Sequence, residues 1–403
     1  MKKILLICNE VNNFFSLLRH LRDNDYDAHL FLMKEETAHF NPAADSYENN
    51  YTKFVHESFF SRLPTGFYNI SKEQVKKAVS GYDFIIGCGL APAYFNKIGI
   101  KLDLFIPYGS DLDYQPYLFK KKLFNKKLFK TVFVTYHQRM GIKNARFVMI
   151  SKANNSFLLY YKNIKHIGEL ISGTVPFIYD KQYNDSIFKK YIKTTKNEFI
   201  NSIIRLKKSS QFIIFHHCRH QWYDQDEINY KGNDKLIKGF GKFIQQNKEI
   251  KASLILFEAG EDVDRSKNLI KILNIEDYVK WFPVTDRKDI MIGISLCDVG
   301  VAEIGNLSWI TYSTVCEFMC MSKPIIMYRE DELYKDSYEY LYPILKASDN
   351  EDVASALTKV YNDRKLSSDM GEKSKKWFDK YVVGEGLMKI INAIESEYQT
   401  HNS

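Results

Sequence analysis

Two cations define the chemistry this sequence is equipped for. A short apolar run at 212–215 ends in His216-His217-Cys218-Arg219-His220, and twelve residues after Arg219 comes Lys231-Gly232-Asn233-Asp234, just ahead of an amphipathic stretch from Lys235. Read as a strand and a helix, these runs put Arg219 at a strand's carboxyl end and Lys231 at the start of the next helix. Open α/β sheets bind their ligands there. A guanidinium that forks onto two oxygens, an ammonium and a helix N-terminus aimed at one point suit a diphosphate. They would also stabilise the charge that develops as it leaves. A solvated loop with surface charges is the competing reading.

A second group is Thr314-Val315-Cys316-Glu317-Phe318-Met319-Cys320-Met321-Ser322-Lys323-Pro324-Ile325-Ile326, a helix running into a strand with Glu317 expected in the first turn. The Glu317 carboxylate is placed to accept hydrogen bonds from ribose hydroxyls. Thr314-x-x-Glu317 also has the form of a capping box, in which Glu317 would serve only its own helix. His216, His217 and His220 share one loop, but no carboxylate or cysteine array accompanies them. They read as a cleft wall, one of them donating to phosphate, and neither a protein-held metal nor a cofactor is expected. Cys316 and Cys320, one helical turn apart and without a second ligand pair, read as small core residues.

These residues need a scaffold, and the sequence supplies the pattern of one. Continuous apolar runs at 3–8, 28–33, 84–87, 104–106, 132–135 and 147–150 read as parallel strands buried on both faces. Phe14, Leu17, Leu18 and Leu21 form a helix face between the first two. The rhythm lapses over a lysine-rich stretch and resumes at 212–215, 254–257, 279–282, 298–301 and 324–327. The fold class is therefore α/β, with two doubly wound Rossmann-like domains. An N-terminal domain is expected at 1–180, a linker at 181–210, a second domain at 211–375, and a C-terminal helix at 376–403. The 403 residues suffice for two domains, and 45% hydrophobic with 26% charged residues excludes a disordered chain or a coiled-coil rod. No apolar run approaches the ~18 residues of a membrane helix. The apolar start of the chain reads as a first strand rather than a signal peptide, giving a cytoplasmic expectation. Six cysteines are too few for a disulfide scaffold. A net charge of +8 fits anionic substrates or an anionic membrane face and does not establish a nucleic-acid binder.

Together these pieces resemble the second domain of GT-B-fold glycosyltransferases, in particular the large retaining group called family 4. There an Arg and a Lys-Gly pair follow the first strand of the nucleotide domain, and a Glu-Ala-Met-Ala-Cys-Gly-Lys-Pro-Val-Ile-like segment holds the donor. The matching positions are Arg219, Lys231-Gly232 and Glu317 to Ile326. Ala259-Gly260-Glu261, Trp281-Phe282-Pro283-Val284 and Cys297-Asp298-Val299-Gly300-Val301 follow in the family's order. In the first domain, Met149-Ile150-Ser151-Lys152 and Val175-Pro176 resemble the end of that domain and its link to the second. The resemblance spans most of 145–380. It implies a retaining transfer from a nucleotide-sugar, UDP-linked by preference, to a saccharide or lipid-linked acceptor, in the setting of surface-polysaccharide synthesis. Arg219 and Lys231 would then be catalytic, and Glu317, Glu303, Gly305, Asn306, Val284 and Thr314 would bind the donor. The two domains would face each other across a cleft, with the C-terminal helix returning to the first.

One departure is plain. The family carries two glutamates with seven residues between them, and the position eight before Glu317 is Trp309. The nearest upstream acid is Glu303, in Ala302-Glu303-Ile304-Gly305-Asn306. Either Glu303 still reaches the donor sugar or that contact is absent, with Gly305-Asn306 presenting backbone N–H groups instead. In the first half, Tyr108-Gly109-Ser110-Asp111 follows a buried strand. Asp111 could act as a base or orient the acceptor, or Ser110 and Asp111 could simply cap a helix. Asn9 and Glu10 follow the first strand and, with Ser110, are the candidate acceptor contacts. Residues 119–130 hold six lysines, large apolar residues and no acid. They read either as a peripheral membrane contact at the inner face or as a solvated lysine-rich helix. Two rivals stay open: a nucleotide-sugar 2-epimerase of the same fold, and a non-catalytic subunit that tethers a partner transferase.

Overall fold

The computed structural model of the chain describes residues 1–120, 126–151, 155–225 and 230–401. The chain divides into two compact units, the first of Met1–Tyr179 with Lys380–Ser403 and the second of Asp180–Asp379.

The first unit holds a seven-stranded parallel sheet: β1 (Lys3–Ile7), β2 (Asp27–Lys34), β3 (Val55–Ser61), β4 (Phe84–Gly87), β5 (Leu104–Phe105), β6 (Phe147–Ile150) and β7 (Glu169–Ser172), in the order β3-β2-β1-β4-β5-β6-β7. Ile4, Leu5, Leu6 and Ile7 are all sealed from solvent, which is why β1 is apolar without alternation. The order reverses between β1 and β4, so their carboxyl ends open a crevice at the switch point.

The second unit repeats the scheme with six parallel strands: β8 (Phe212–Phe215), β9 (Ala252–Phe257), β10 (Val279–Phe282), β11 (Val299–Val301), β12 (Ile325–Met327) and β13 (Leu345–Lys346), ordered β10-β9-β8-β11-β12-β13. Here the switch lies between β8 and β11. Leu236, Ile237, Phe240 and Ile244 of the helix Asn233–Gln246 pack one face of this sheet.

Three readings change. The run 132–135 is part of the helix Lys126–Asn144, not a strand. Its β-branched residues are overruled by close helix packing: a Cβ on Gly141 would lie 2.0 Å from the Pro92 carbonyl oxygen of the helix Ala91–Ile98. β3 and β7, whose runs carry polar or exposed residues, complete the sheet in its place. The expected linker is two helices, Asp185–Thr194 and Glu198–Ser209, capped by the side chains of Asn184 and Asn197. Phe199 packs on Phe215, Phe257 and Phe282, so these helices belong to the second unit. After the helix Arg364–Trp377 and a π-helical stretch, Phe378–Gly384, the chain re-enters the first unit as the helix Glu385–His401. There the Lys2 ammonium donates to the Ile394 carbonyl (2.6 Å) and Tyr26 donates to Glu395 (2.7 Å).

Candidate functional site

The site in the second unit is built on the loop after β8. His216 is fully buried, and burial, reinforced by the neighbouring His220, pushes its imidazole down to about 3. The neutral ring donates from Nδ1 to the Val301 carbonyl (2.8 Å) and accepts at Nε2 from the Asn233 amide (2.9 Å). Asn233, first residue of its helix, also accepts from the backbone N–H of Gln221 (3.1 Å). His220 meets Ser266 (2.8 Å), which Trp222 also donates to (2.7 Å), and Asp262 accepts from the backbone N–H groups of Trp222 and Tyr223 (2.7 and 3.0 Å). Gly260, at φ +103°, lets the next strand's loop approach closely, since a Cβ there would lie 2.3 Å from the His220 carbonyl oxygen. The loop is thus braced on both sides of Arg219. Arg219 itself is exposed and pairs with none of the described residues.

Lys231 and Glu303 come together across the switch point. The Lys231 ammonium lies 2.7 Å from Glu303 Oε1, with both side chains 13% exposed. Lys231 donates its backbone N–H to Gln221 (2.7 Å), and its carbonyl accepts from Ile304 (3.0 Å). Two glycines permit this approach. A Cβ on Gly232, at φ +71°, would sit 2.4 Å from the Ile304 carbonyl oxygen, and one on Gly305 would sit 1.9 Å from that of Tyr230. Glu303 is held on both sides of its own backbone, accepting from Tyr328 N–H and donating to the Tyr312 hydroxyl (3.0 Å each). Asn306 is exposed and donates to the Gln225 carbonyl (2.9 Å). The buried Cys218 thiol is pushed up by burial and then by Glu303, while Lys231 opposes.

Glu317 departs from the capping reading. The helix Ser313–Cys320 starts before Thr314, its cap position is Tyr312, and no side chain caps it. Glu317 sits in the helix interior, 5% exposed, with Oε2 accepting from His217 Nε2 (2.5 Å) and Oε1 from Arg287 Nε (2.9 Å). Burial pushes its carboxyl up, but His217 and Arg287 outweigh it and hold the group below its ordinary value. Val284, by contrast, is 61% exposed beyond the end of β10.

The corresponding end of the first unit revises three readings. Asp111 has no exposed surface, and its carboxylate accepts from the backbone N–H groups of Gly89 (2.9 Å), Gly109 (3.0 Å) and Tyr108 (3.1 Å). Burial pushes it up to about 7, with those three donors pulling back. Asp111 fastens two loops and is sealed from any acceptor, so it is a scaffold group rather than a base. Asn9 is likewise buried, bonded to Asn12 (2.8 Å), the Phe40 carbonyl (2.7 Å) and Phe15 N–H (2.9 Å). Glu10 is buried in an ion pair with Arg62. Ser110 alone of the acceptor candidates is exposed.

Sequence reasoning missed Asn233, Ser266, Tyr312 and Arg287. Arg287 carried a signal. It is the first residue of the helix Arg287–Leu296, where a cation opposes the helix dipole and needs an anionic partner to be tolerated. Among the described residues no group of three His, Cys, Asp or Glu is placed to hold a metal ion. Asp111-Leu112-Asp113 and Asp262-Val263-Asp264 have the spacing of a metal motif, but Asp111 is filled by backbone donors and Asp262 by backbone donors and Arg265. No helix among the described residues is long and apolar enough to cross a membrane. The basic run 119–130 falls mostly outside the described residues.

Residues 228–377 match the family model for glycosyl transferases group 1. No curated protein matches the sequence. The chain is similar in structure to HepE of Anabaena in complex with UDP-glucose (13% identity, 98% of this chain and 100% of that one, TM-score 0.63). It is also similar to sucrose-phosphate synthase of Thermosynechococcus elongatus (14%, 99% and 100%, TM-score 0.60). A third likeness is WaaG, a glycosyltransferase involved in lipopolysaccharide biosynthesis (11%, 97% and 99%, TM-score 0.57). The chain thus shares the GT-B fold of these structures, two doubly wound parallel sheets, and its second unit carries the match to the glycosyl transferases group 1 model.

Proposed function

We propose that the protein transfers a sugar from a UDP-sugar to a saccharide or lipid-linked acceptor, with retention of configuration, in the assembly of a surface polysaccharide. The observation that carries this reading is the meeting of Lys231, on the loop after β8, with Glu303, at the end of β11, with the exposed Arg219 on that same loop. A diphosphate bound at this switch point would take the Lys231 and Arg219 charges, releasing Glu303 toward the sugar. Glu303 would then do the work of the family's first glutamate from a strand-end position. Gly305, Asn306 and Thr314 line the same end of the sheet, and Glu317 would receive the ribose. Val284 stands at its margin. On the first unit, Ser110 is the acceptor contact, on a turn fastened by Asp111. The reading involves no resident metal.

The test is release of free UDP from a panel of UDP-sugars, with and without saccharide acceptors. Arg219→Ala and Lys231→Ala should each cut turnover by about a hundredfold or more. Epimerised donor in the absence of acceptor would replace transfer by 2-epimerisation. Nucleotide binding without any turnover would make the protein a partner subunit.

A further inference from the structure

Glu317 is held from two sides. Its two oxygens are each engaged from a different element: Oε2 by His217, on the loop after β8, and Oε1 by Arg287, at the start of the helix Arg287–Leu296. The three side chains are 6%, 11% and 8% exposed. Because a carboxylate only accepts, His217 Nε2 carries the proton in that bond. The ring's other nitrogen, Nδ1, is buried and has no hydrogen-bond partner among the described residues. Phe215 and Phe318 stand edge-on to the ring at 5.6 and 5.3 Å between centroids. The bond to Glu317 is therefore the polar contact that fixes the imidazole. Arg287 has a cation at the wrong end of its helix dipole, and Glu317 is the partner that offsets this.

An ionised carboxylate has about four lone-pair sites, and His217 and Arg287 fill one on each oxygen. The remaining sites are left on a group whose torsions are set before any ligand arrives. We propose that His217 and Arg287 are positioning residues for donor recognition: they hold Glu317 so that its free lone pairs select the ribose hydroxyls of the nucleotide. This rests on the donor reading above and adds two residues to it. Without them Glu317 would keep its charge but lose its orientation, and the penalty would fall on the hydroxyls it accepts rather than on the diphosphate.

The experiment measures dissociation constants of UDP and 2′-deoxy-UDP for the wild type and for His217→Leu, His217→Gln, Arg287→Met and Arg287→Lys. The wild type should favour UDP by tenfold or more. His217→Leu and Arg287→Met should each shrink that preference at least fivefold through weaker UDP binding, with 2′-deoxy-UDP affinity within about threefold of wild type. The retained 2′-deoxy-UDP binding also shows that each variant is folded. His217→Gln keeps an N–H donor and should recover most of the preference. Arg287→Lys keeps charge without the guanidinium fork and should recover less. An unchanged preference in both disruptive variants overturns the proposal and leaves the donor reading standing. Loss of the fold in both would assign the pair to structural support and also overturn it. A wild type that binds neither nucleotide overturns the donor reading itself.

Discussion

Lys231 and Glu303 are joined by an ion pair of 2.7 Å although they belong to loops seventy-two residues apart. Each is nearly buried, so the charge of Lys231 is already balanced before a diphosphate arrives. An incoming phosphate must compete with Glu303 for it. Glu303→Gln should therefore bind UDP more tightly than wild type, by severalfold, while sugar transfer falls at least tenfold. Calorimetric titration with UDP alone, set beside turnover, checks this. Weaker UDP binding in the variant would show that Glu303 supports Lys231 rather than restrains it.

Gly232 is the hinge of that pair in a literal steric sense. It combines φ +71° with a backbone oxygen 2.4 Å from where a Cβ would go. Gly232→Ala should cost about 1–3 kcal/mol in stability and reduce turnover at least tenfold by displacing Lys231. Urea unfolding and initial rates would show it. A variant with wild-type values for both would refute the close approach.

His216 makes stability in the second unit depend on acid. Its imidazole, at about 3 in the fold, would return to about 6.5 in the unfolded chain. The native state therefore refuses a proton that the unfolded state takes. The stability this ring contributes is complete above about pH 6.5 and is lost progressively as pH falls toward 3. His216→Gln offers the same donor and acceptor without titrating. Its unfolding free energy, followed from about pH 6 to 4, should fall less steeply by about one proton's worth. An identical slope would sink the assignment.

Asp111 is expected to matter for folding before chemistry. Asp111→Asn replaces an acceptor oxygen with a donor and leaves at least one of the N–H groups of Gly89, Tyr108 and Gly109 unpaired. A loss of about 1–3 kcal/mol should follow in denaturant melts. A change below about 0.5 kcal/mol would mean those donors find other partners.

The membrane reading can be tested on exposed rings at the end of the basic run and beside it. Tyr68, Phe129 and Tyr136 are 42%, 65% and 53% exposed, and the Lys130 ammonium lies 5.3 Å over the Tyr68 ring. Rings with lysine beside them suit an anionic interface. Phe129→Ser with Tyr68→Ser should lower sedimentation with phosphatidylglycerol vesicles several-fold. Equal binding by wild type and variant would dismiss this surface.

The sheets were legible because strands sealed on both faces must be apolar throughout; β4, β6 and β8 are, and so is β1 after Lys3. β3 failed the same filter because Glu57 and Ser58 lie at a sheet edge where they meet water. The run 132–135 passed it wrongly, since about one turn of a half-buried helix can carry the same composition as a strand. In the site, residue type and order located Arg219, Lys231 and Glu317. Glu303 was found only as the nearest acid, and its pairing with Lys231 needed two loops brought together by glycines. For Asn9, Glu10 and Asp111 the sequence left the choice open, since a polar residue at a strand's carboxyl end can face the ligand or staple the loop, and the alphabet is identical for both.

The route of the chain has a bearing on how the protein is made. Ile390, Ala393 and Ile394 of the last helix belong to the same apolar core as Ile4 and Leu6. The first half emerges from the ribosome early but cannot seal that core until the final turns are synthesised, whereas everything from 180 to 379 is available sooner. The second unit can therefore complete itself while the first still waits for its missing wall, and a nascent chain stalled short of the last helix would display unsealed hydrophobic surface to chaperones and proteases.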